Sequence, residues 1–361
     1  MQITRCSLWV DTDTKDVHFG LNYNFMNKSL PEVSKQIRSK DIRDVIEKNF
    51  VSIIPVWTPL QLAWVNSVYR TFHDYEKFMI VMHLLMNTFE DYSKNFVKLD
   101  YEEYFNQSEV EIETINVMKI HKALNIPKET TRRKIIKLEE MGAIKRINKK
   151  ILIDRKTWPN IKPEETIKRM TRFLSTLSKM CVDEGQLSET ISSESLAETT
   201  REYFSFIWKL YYEMQMPMLL GFKKVFGDLE SFHIWSICIV NHALDSKKNN
   251  NNEMSKEFYL EKYFFADQKD EQGINALSIS DITGIPRATV IRKLKKLIKE
   301  KFLRIDKKKH YSITNIHQKK ILDVQNNTLN SLSKFAARIY NLSLLKEKKD
   351  ELKSSSYLTN L

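Results

Sequence analysis

The chain has 361 residues, 58 Lys and Arg against 46 Asp and Glu, and a formal net charge of +12. At 42% hydrophobic and 11% aromatic residues it is long and apolar enough for two or three folded domains, which excludes a disordered or fibrous chain. Cys6, Cys181 and Cys238 lie far apart, which argues for a reducing compartment and against a zinc cluster or a disulfide framework.

Residues 1–38 are polar, with scattered aromatics and no charged-then-apolar leader pattern, and read as an N-terminal arm without an assigned role. From Ser39 onward the chain repeats itself. SKDIRDVIEKNF (39–50) matches SESLAETTREYF (193–204), and TPLQLAWVNSVYRTF (58–72) matches YEMQMPMLLGFKKVF (212–226). DYEKFMIVMHLLMNTFED (74–91) matches DLESFHIWSICIVNHALD (228–245), with Asp74/Asp228, Glu76/Glu230, Phe78/Phe232, Ile80/Ile234, Asn87/Asn241 and Asp91/Asp245 identical. Both of these last segments read as largely buried helices. The apolar runs 78–89 and 232–240 are too short, or too interrupted by His, to span a bilayer, so no membrane partner is expected. A polar connection follows, containing DYEEYF (100–105) in the first copy and the low-complexity stretch KKNNNN (247–252), then FYLEKYF (258–264), in the second.

Next comes the segment that carries most of the information. PKETTRRKIIKLEEMGAIKRINKK (127–150) is matched by PRATVIRKLKKLIKEKFLRIDKKKH (286–310), with Thr130/Thr289, Arg133/Arg292, Lys134/Lys293, Lys137/Lys296 and Leu138/Leu297 identical. At about 100° per residue, Thr131, Ile135 and Leu138 share one sector of a helix, as do Val290, Leu294 and Leu297. The opposite sector holds Thr130, Arg133 and Lys137, and again Thr289, Arg292 and Lys296. Packing does not demand identity on an outward face. A ligand that reads that face does, and Arg and Lys there suit guanine edges and phosphates. A shorter helix precedes each one, ending at Asn125 or Gly284, the residue types that best tolerate the positive φ of a tight turn. Pro127 and Pro286 then sit where a missing N–H costs nothing. Gly142 is placed to end the first helix, with Lys301 at the matching position. Beyond it, 143–147 and 151–154 read as short strands around a basic tip, and so do 302–305 and 310–314. A closing helix follows in each copy, IKRMTRFLSTLSKM (167–180) and LDVQNNTLNSLSKF (322–335).

Charge is concentrated on these segments. Residues 127–150 carry nine Lys or Arg and three Glu, and residues 286–310 carry eleven Lys or Arg and two acids. Their net charges, +6 and +9, together exceed the +12 of the chain, so the rest is net acidic. Local basicity of this kind is the electrostatic footprint of phosphate contact.

Each copy resembles the winged helix-turn-helix of bacterial transcription regulators, nearest to the MarR (multiple antibiotic resistance regulator) type. The order of first helix, long helix, helix-turn-helix, wing and closing helix is similar to that unit. The resemblance implies a mainly α fold with small β-hairpin wings, in which two tandem winged helix-turn-helix units form an intramolecular pseudo-dimer. The first unit is expected over 39–182 (helix-turn-helix about 114–141, wing 143–154). A Ser/Thr/Glu-rich linker is expected over 183–202, exposed or, through Ile191 and Leu196, continuing a helix, and the second unit over 203–340 (helix-turn-helix about 274–300, wing 302–314). The tail, 341–361, reads as a fraying helix and then disorder.

The expected partner is double-stranded DNA, bound through Lys128, Thr130, Arg133, Lys134, Lys137, Lys149 and Lys150 in the first unit. Arg287, Thr289, Arg292, Lys293, Lys296, Lys307 and Lys308 are their counterparts in the second. The longer segment before each motif and the presence of two units in one chain depart from the family, whose members are homodimers of a single unit. A monomer acting as a pseudo-dimer follows, cytoplasmic and associated with the nucleoid. The resemblance also implies a small-molecule effector between the units, where Trp57, Trp64, Met79, Met82, Trp208, Met214, Met216, Met218 and Trp235 gather; core packing accounts for the same residues. No GxGxxG, P-loop, HExxH or GxSxG pattern is present, so neither an enzyme nor a cofactor is expected. A plasmid-type replication initiator with two winged helices, or a chromosome-organising structural protein, would share the motif.

Overall fold

The computed structural model describes residues 36–112, 114–148, 150–154, 162–247, 256–260 and 273–358. The arm expected over 1–38 and the KKNNNN stretch lie almost wholly outside them.

The described chain is mainly helical, and its element order runs twice. The first run is α1 (Ser39–Lys48), α2 (Phe50–Phe72), α3 (Tyr75–Lys94), α4 (Tyr101–Asn106), β1 (Glu109–Ile112), α5 (Val117–Leu124), α6 (Lys128–Glu140), β2 (Ile144–Ile147), β3 (Lys150–Asp154) and α7 (Glu164–Asp183). The second is α8 (Ser193–Glu202), α9 (Phe204–Phe226), α10 (Leu229–Lys247), α11 (Lys256–Tyr259), β4 (Ile274–Asn275), α12 (Ala276–Thr283), α13 (Arg287–Lys299), β5 (Leu303–Ile305), β6 (His310–Ile313) and α14 (Gln318–Leu358). Each run contains a small antiparallel sheet, ordered β1-β3-β2 in one and β4-β6-β5 in the other. In the first sheet Val110 pairs with Ile153 and Ile112 with Ile151. In the second, Ile274 pairs with Tyr311. The third strand of each sheet, β1 or β4, was not legible in the sequence.

The two runs are interlocked rather than placed side by side. Helix α1 packs on α14, and α8 packs on α7, so each run closes its first helix against the last helix of the other. The long helices do the same: α9 lies on α3 and α2 on α10. The apolar stripe of α1 (Ile42, Val45 and Ile46) is buried, as is Leu196 of α8. Directional bonds fix the crossings. Asn341 Nδ2 donates to Ile37 O at 2.9 Å, and Ile37 N donates back to Asn341 Oδ1 at 2.9 Å. The fully buried Tyr340 hydroxyl donates to Leu174 O at 2.6 Å, tying α14 to α7. Trp64 of α2 and Tyr211 of α9 meet edge to face with ring centroids 6.0 Å apart. A single connected apolar core results, spanning both runs.

Two stretches differ from expectation. The segment read as a linker contains α8, started by a side-chain cap from Ser192 to Ser195 N at 3.0 Å. Its Ser and Glu residues are cap and outer face; Leu196, Thr199 and Thr200 are the buried stripe. The segment read as a fraying tail is the continuation of α14, held at Ser343 by a 3.2 Å bond to Thr199 of α8. If α8 is core, Leu196→Ala creates a cavity and costs about 2–5 kcal/mol. A chemical-denaturation midpoint measures this, and a solvated linker would show almost no change.

Candidate nucleic-acid interface

The helix pair α5–α6 and its counterpart α12–α13 are shaped by local chemistry. Asn125 (φ 48°) and Gly284 (φ 72°) both occupy the left-handed conformation at the turn. Pro127 (φ −50°) and Pro286 (φ −53°) cap the helices that follow. Thr131, Ile135 and Leu138 are buried on α6, and Val290, Leu294 and Leu297 on α13. The Thr131 hydroxyl, inside that stripe, donates to Ile126 O and Pro127 O at 3.2 Å, so its burial leaves no donor unmet. Gly142 (φ 73°) and Lys301 (φ 60°) turn the chain from helix to strand, and Asn148 (φ 48°) and Lys309 (φ 60°) sit at the hairpin tips.

The expected site residues divide by what they touch. Lys128, Arg133 and Lys137 are exposed on the outer side of α6, as are Arg287 and Arg292 on α13, with Thr130 and Thr289 half-buried beside them. Lys307 and Lys308 stand exposed at the second hairpin tip. Lys149 falls outside the described residues. Lys150 is exposed but pairs with Glu111 of β1 at 2.8 Å. Two further cations of the first hairpin are neutralised in the same way: Lys145 pairs with Asp154, and Arg146 with Glu139 at 2.9 Å.

Lys134 and Lys293 do not lie on the outer face. Lys134 bonds Asp74 at 2.5 Å and Glu76 at 3.2 Å, and Lys293 bonds Asp228 at 2.6 Å. Lys296 joins them: its ammonium lies 2.9 Å from Asp228 and donates to Phe226 O at 2.8 Å, while its counterpart Lys137 stays exposed. This explains the acidic identities at the start of the long helices. Asp74 caps α3, accepting from Glu76 N and Lys77 N, and also holds α6; Asp228 accepts from Ser231 N at 2.7 Å and also holds α13. Burial would raise the Asp228 carboxyl, but the hydrogen bonds from Lys293, Lys296 and Ser231 outweigh it and hold the group down at about 2. Burial likewise works against the Lys134 ammonium, and Asp74 and Glu76 overcome it, leaving Lys134 above the ordinary lysine value.

Lys223 and Arg70 reach across between the runs to the helix pairs. Lys223, near the end of α9, donates to Asn125 O at 3.0 Å and pairs with Glu76 at 2.9 Å. Arg70, near the end of α2, donates to Ile282 O at 3.3 Å. Between these crossings lies His233 of α10, fully buried, with Nε2 at 2.5 Å from Asn66 Oδ1 and Nδ1 at 2.6 Å from the Tyr75 hydroxyl. An amide oxygen only accepts, so Nε2 carries the proton and Nδ1 accepts from Tyr75. The ring is neutral. Burial, with the charge of Arg70 adding to it, pushes the imidazole down to about 3.

Two cavities flank this crossing at equivalent places in the repeat. One, of about 330 Å³, is lined by Trp64, Val68, Phe78, Val81 and Leu85, with Trp208 and Tyr212 from the other run. The other, of about 100 Å³, is lined by the matching Met218, Phe222, Phe232, Trp235 and Ile239, with Trp57, Thr58 and Gln61 from the other run. Both amide atoms of Gln61 and the indole nitrogen of Trp235 are buried without a hydrogen-bond partner among the described residues. Elsewhere among the described residues, no group of three or more His, Cys, Asp or Glu is placed to hold a metal, and no helix is long and apolar enough to cross a membrane.

Comparison with known protein families, with characterised proteins and with solved structures gives no match to this chain.

The His233 pair of bonds has a pH signature. The folded value lies below the ordinary 6.5, so the unfolded chain binds the proton more readily; stability is full above about pH 6.5 and is lost as pH falls toward 3. The expected slope is about 1.4 kcal/mol per pH unit from this site. Melting curves between pH 7 and 4.5 should be shallower in His233→Gln by about that amount. Equal slopes would place the acid sensitivity elsewhere.

Proposed function

We propose that the chain is a sequence-specific double-stranded DNA-binding protein, a transcription regulator that acts as an intramolecular pseudo-dimer of two tandem winged helix-turn-helix units. On this reading α6 and α13 enter successive major grooves and the hairpins β2–β3 and β5–β6 are the wings. One observation carries it. The cations at equivalent outer positions, Arg133 with Arg292 and Lys128 with Arg287, stand exposed, while the inward-facing Lys134, Lys293 and Lys296 are taken up by Asp74, Glu76 and Asp228. A protein partner for these surfaces, as in a chromosome-organising structural protein, would leave so much unneutralised basic charge unexplained. A replication initiator would share the helices but would read direct rather than inverted repeats. Binding, rather than catalysis, is the activity assigned.

The two units are unequal. Lys145, Arg146 and Lys150 of the first hairpin are paired with acids of their own unit, whereas Lys307 and Lys308 have no ion-pair partner among the described residues. Glu129 and Ile136 of α6 stand where α13 has Ala288 and Lys295. The second unit therefore supplies the larger share of affinity. Arg292→Ala is expected to weaken binding by roughly 1 kcal/mol more than Arg133→Ala, and each lost phosphate contact to reduce the salt slope by about 0.9. Titrations of a fluorescent duplex from 50 to 300 mM salt measure both, and equal losses reject the inequality.

Selection of the purified chain on a random duplex library at about 150 mM salt tests the reading itself. An enriched imperfect inverted repeat, with half-sites about 10 bp apart, is the expected outcome. Absence of any retained DNA rejects it. The smaller cavity supports an effector as well: its lining is uncharged, and Gln61 and Trp235 offer one acceptor and two kinds of donor to a small neutral aromatic ligand. Indole quenching of the Trp fluorescence, lost in Gln61→Leu, is the expected sign of such a site; quenching that is identical in the variant counts against it.

A further inference from the structure

We infer that Lys223 is a positioning residue for the opposite recognition helix, and that it sets the spacing between the two DNA-reading surfaces. The inference rests on the DNA-binding reading for its purpose but not for its geometry.

Lys223 belongs to the second run, yet most of what it holds belongs to the first. Its ammonium, on a side chain only 13% exposed, pairs with Glu76 and donates to the carbonyls of Asn125 at 3.0 Å and Leu124 at 3.5 Å. Asn125 is the left-handed turn residue between α5 and α6, so its carbonyl moves with the helix pair. Glu76, in turn, lies 3.2 Å from Lys134 of α6. One cation from the second run thus grips the turn of the first helix pair and also the carboxylate that anchors its recognition helix.

The arrangement is not a passive inheritance of the duplication. The residue equivalent to Lys223 is Tyr69, whose ring packs on Tyr75 and His233. The cation that reaches the second turn is instead Arg70, exposed and with a single 3.3 Å bond to Ile282 O. Its own equivalent, Lys224, is exposed. Two different positions therefore deliver a cation to the corresponding place, the turn of the opposite helix pair. They do so with unequal grip: three acceptors and burial on one side, one acceptor and solvent on the other. The second helix pair compensates from within its own run, through the Lys296 bond to Phe226 O that Lys137 does not make. Beyond the Lys134 and Lys293 pairs that both share, the first helix pair takes its extra hold mainly from the other run and the second mainly from its own.

The test separates the latch from the DNA reading. Spin labels at Lys128→Cys and Arg287→Cys, in a Cys6→Ser background, report the distance between the two recognition helices without DNA. Lys223→Met keeps the apolar stem and removes the ammonium. The expected result is a distance distribution at least twice as broad as in the parent, narrowed again by Lys223→Arg, with Arg70→Met having a smaller effect. Where Lys223→Met does not fold by its thermal melt, Lys223→Gln takes its place. An unchanged distribution in the folded variant overturns the latch whatever the DNA result. On DNA, the parent's preference for its best half-site spacing over one lengthened by 2 bp should fall at least fivefold in the variant. A uniform loss at all spacings overturns the spacing role. A broadened distribution in a chain that binds no DNA leaves the latch standing and removes the DNA reading.

Discussion

Everything in this fold depends on the way each run lends its first helix to the other. A helix as short as α1, ten residues, has no stability of its own in water; it persists because Ile42, Val45 and Ile46 are covered by α14. The same holds for α8 on α7. With first helices exchanged, neither run has a complete core alone, and the long helices α2, α3, α9 and α10 share a single apolar interior. The helix pairs and hairpins hang from that interior, and the proposed DNA-binding surfaces inherit its rigidity.

Charge is used in the structure in two different ways, and the difference organises the candidate interface. Facing the core, ammonium groups are matched to carboxylates that already serve as helix caps: Lys134 to Asp74, and Lys293 and Lys296 together to Asp228. Such pairs fix orientation more than they add stability, because the desolvation of both partners offsets much of their attraction. Facing outward, Arg133, Arg292, Lys307 and Lys308 are left without a matched acid among the described residues. A helix docked by specific pairs on one side and basic on the other is a rigid carrier of positive charge. That is the physical content of the proposed function.

Local chemistry was legible in the sequence; long-range pairing was not. The turn residues Asn125 and Gly284 could be read directly because positive φ is a property of single residue types. The buried stripes of α6 and α13 could be read because helical periodicity is local. The identities Asp74/Asp228 and Glu76/Glu230 were visible, but their partners lie some 60 or more residues away and only folding brings them together. For the same reason Lys137 and Lys296, the same letter at the same repeat position, could not be told apart: one backbone carbonyl, Phe226 O, draws Lys296 inward. Helix α8 looked like a linker because a ten-residue helix with three inward-facing positions has little apolar signal, and two of the three are Thr. Strands β1 and β4, four and two residues long, are too short for a period-two pattern to stand out.

The bond between Ile37 and Asn341 spans 304 residues of chain. Synthesis makes α14 after every other described element, so the larger part of the surface that covers α1 is made last among them. Until then α1 has only α2 and α7 of its own run to pack on, whereas α8 docks on α7, only ten residues upstream. The second crossing is local in sequence and the first is long-range, so the first carries the larger loop-closure cost. Closure of α1 over α14 is thus the contact of this fold that joins the most distant parts of the described chain.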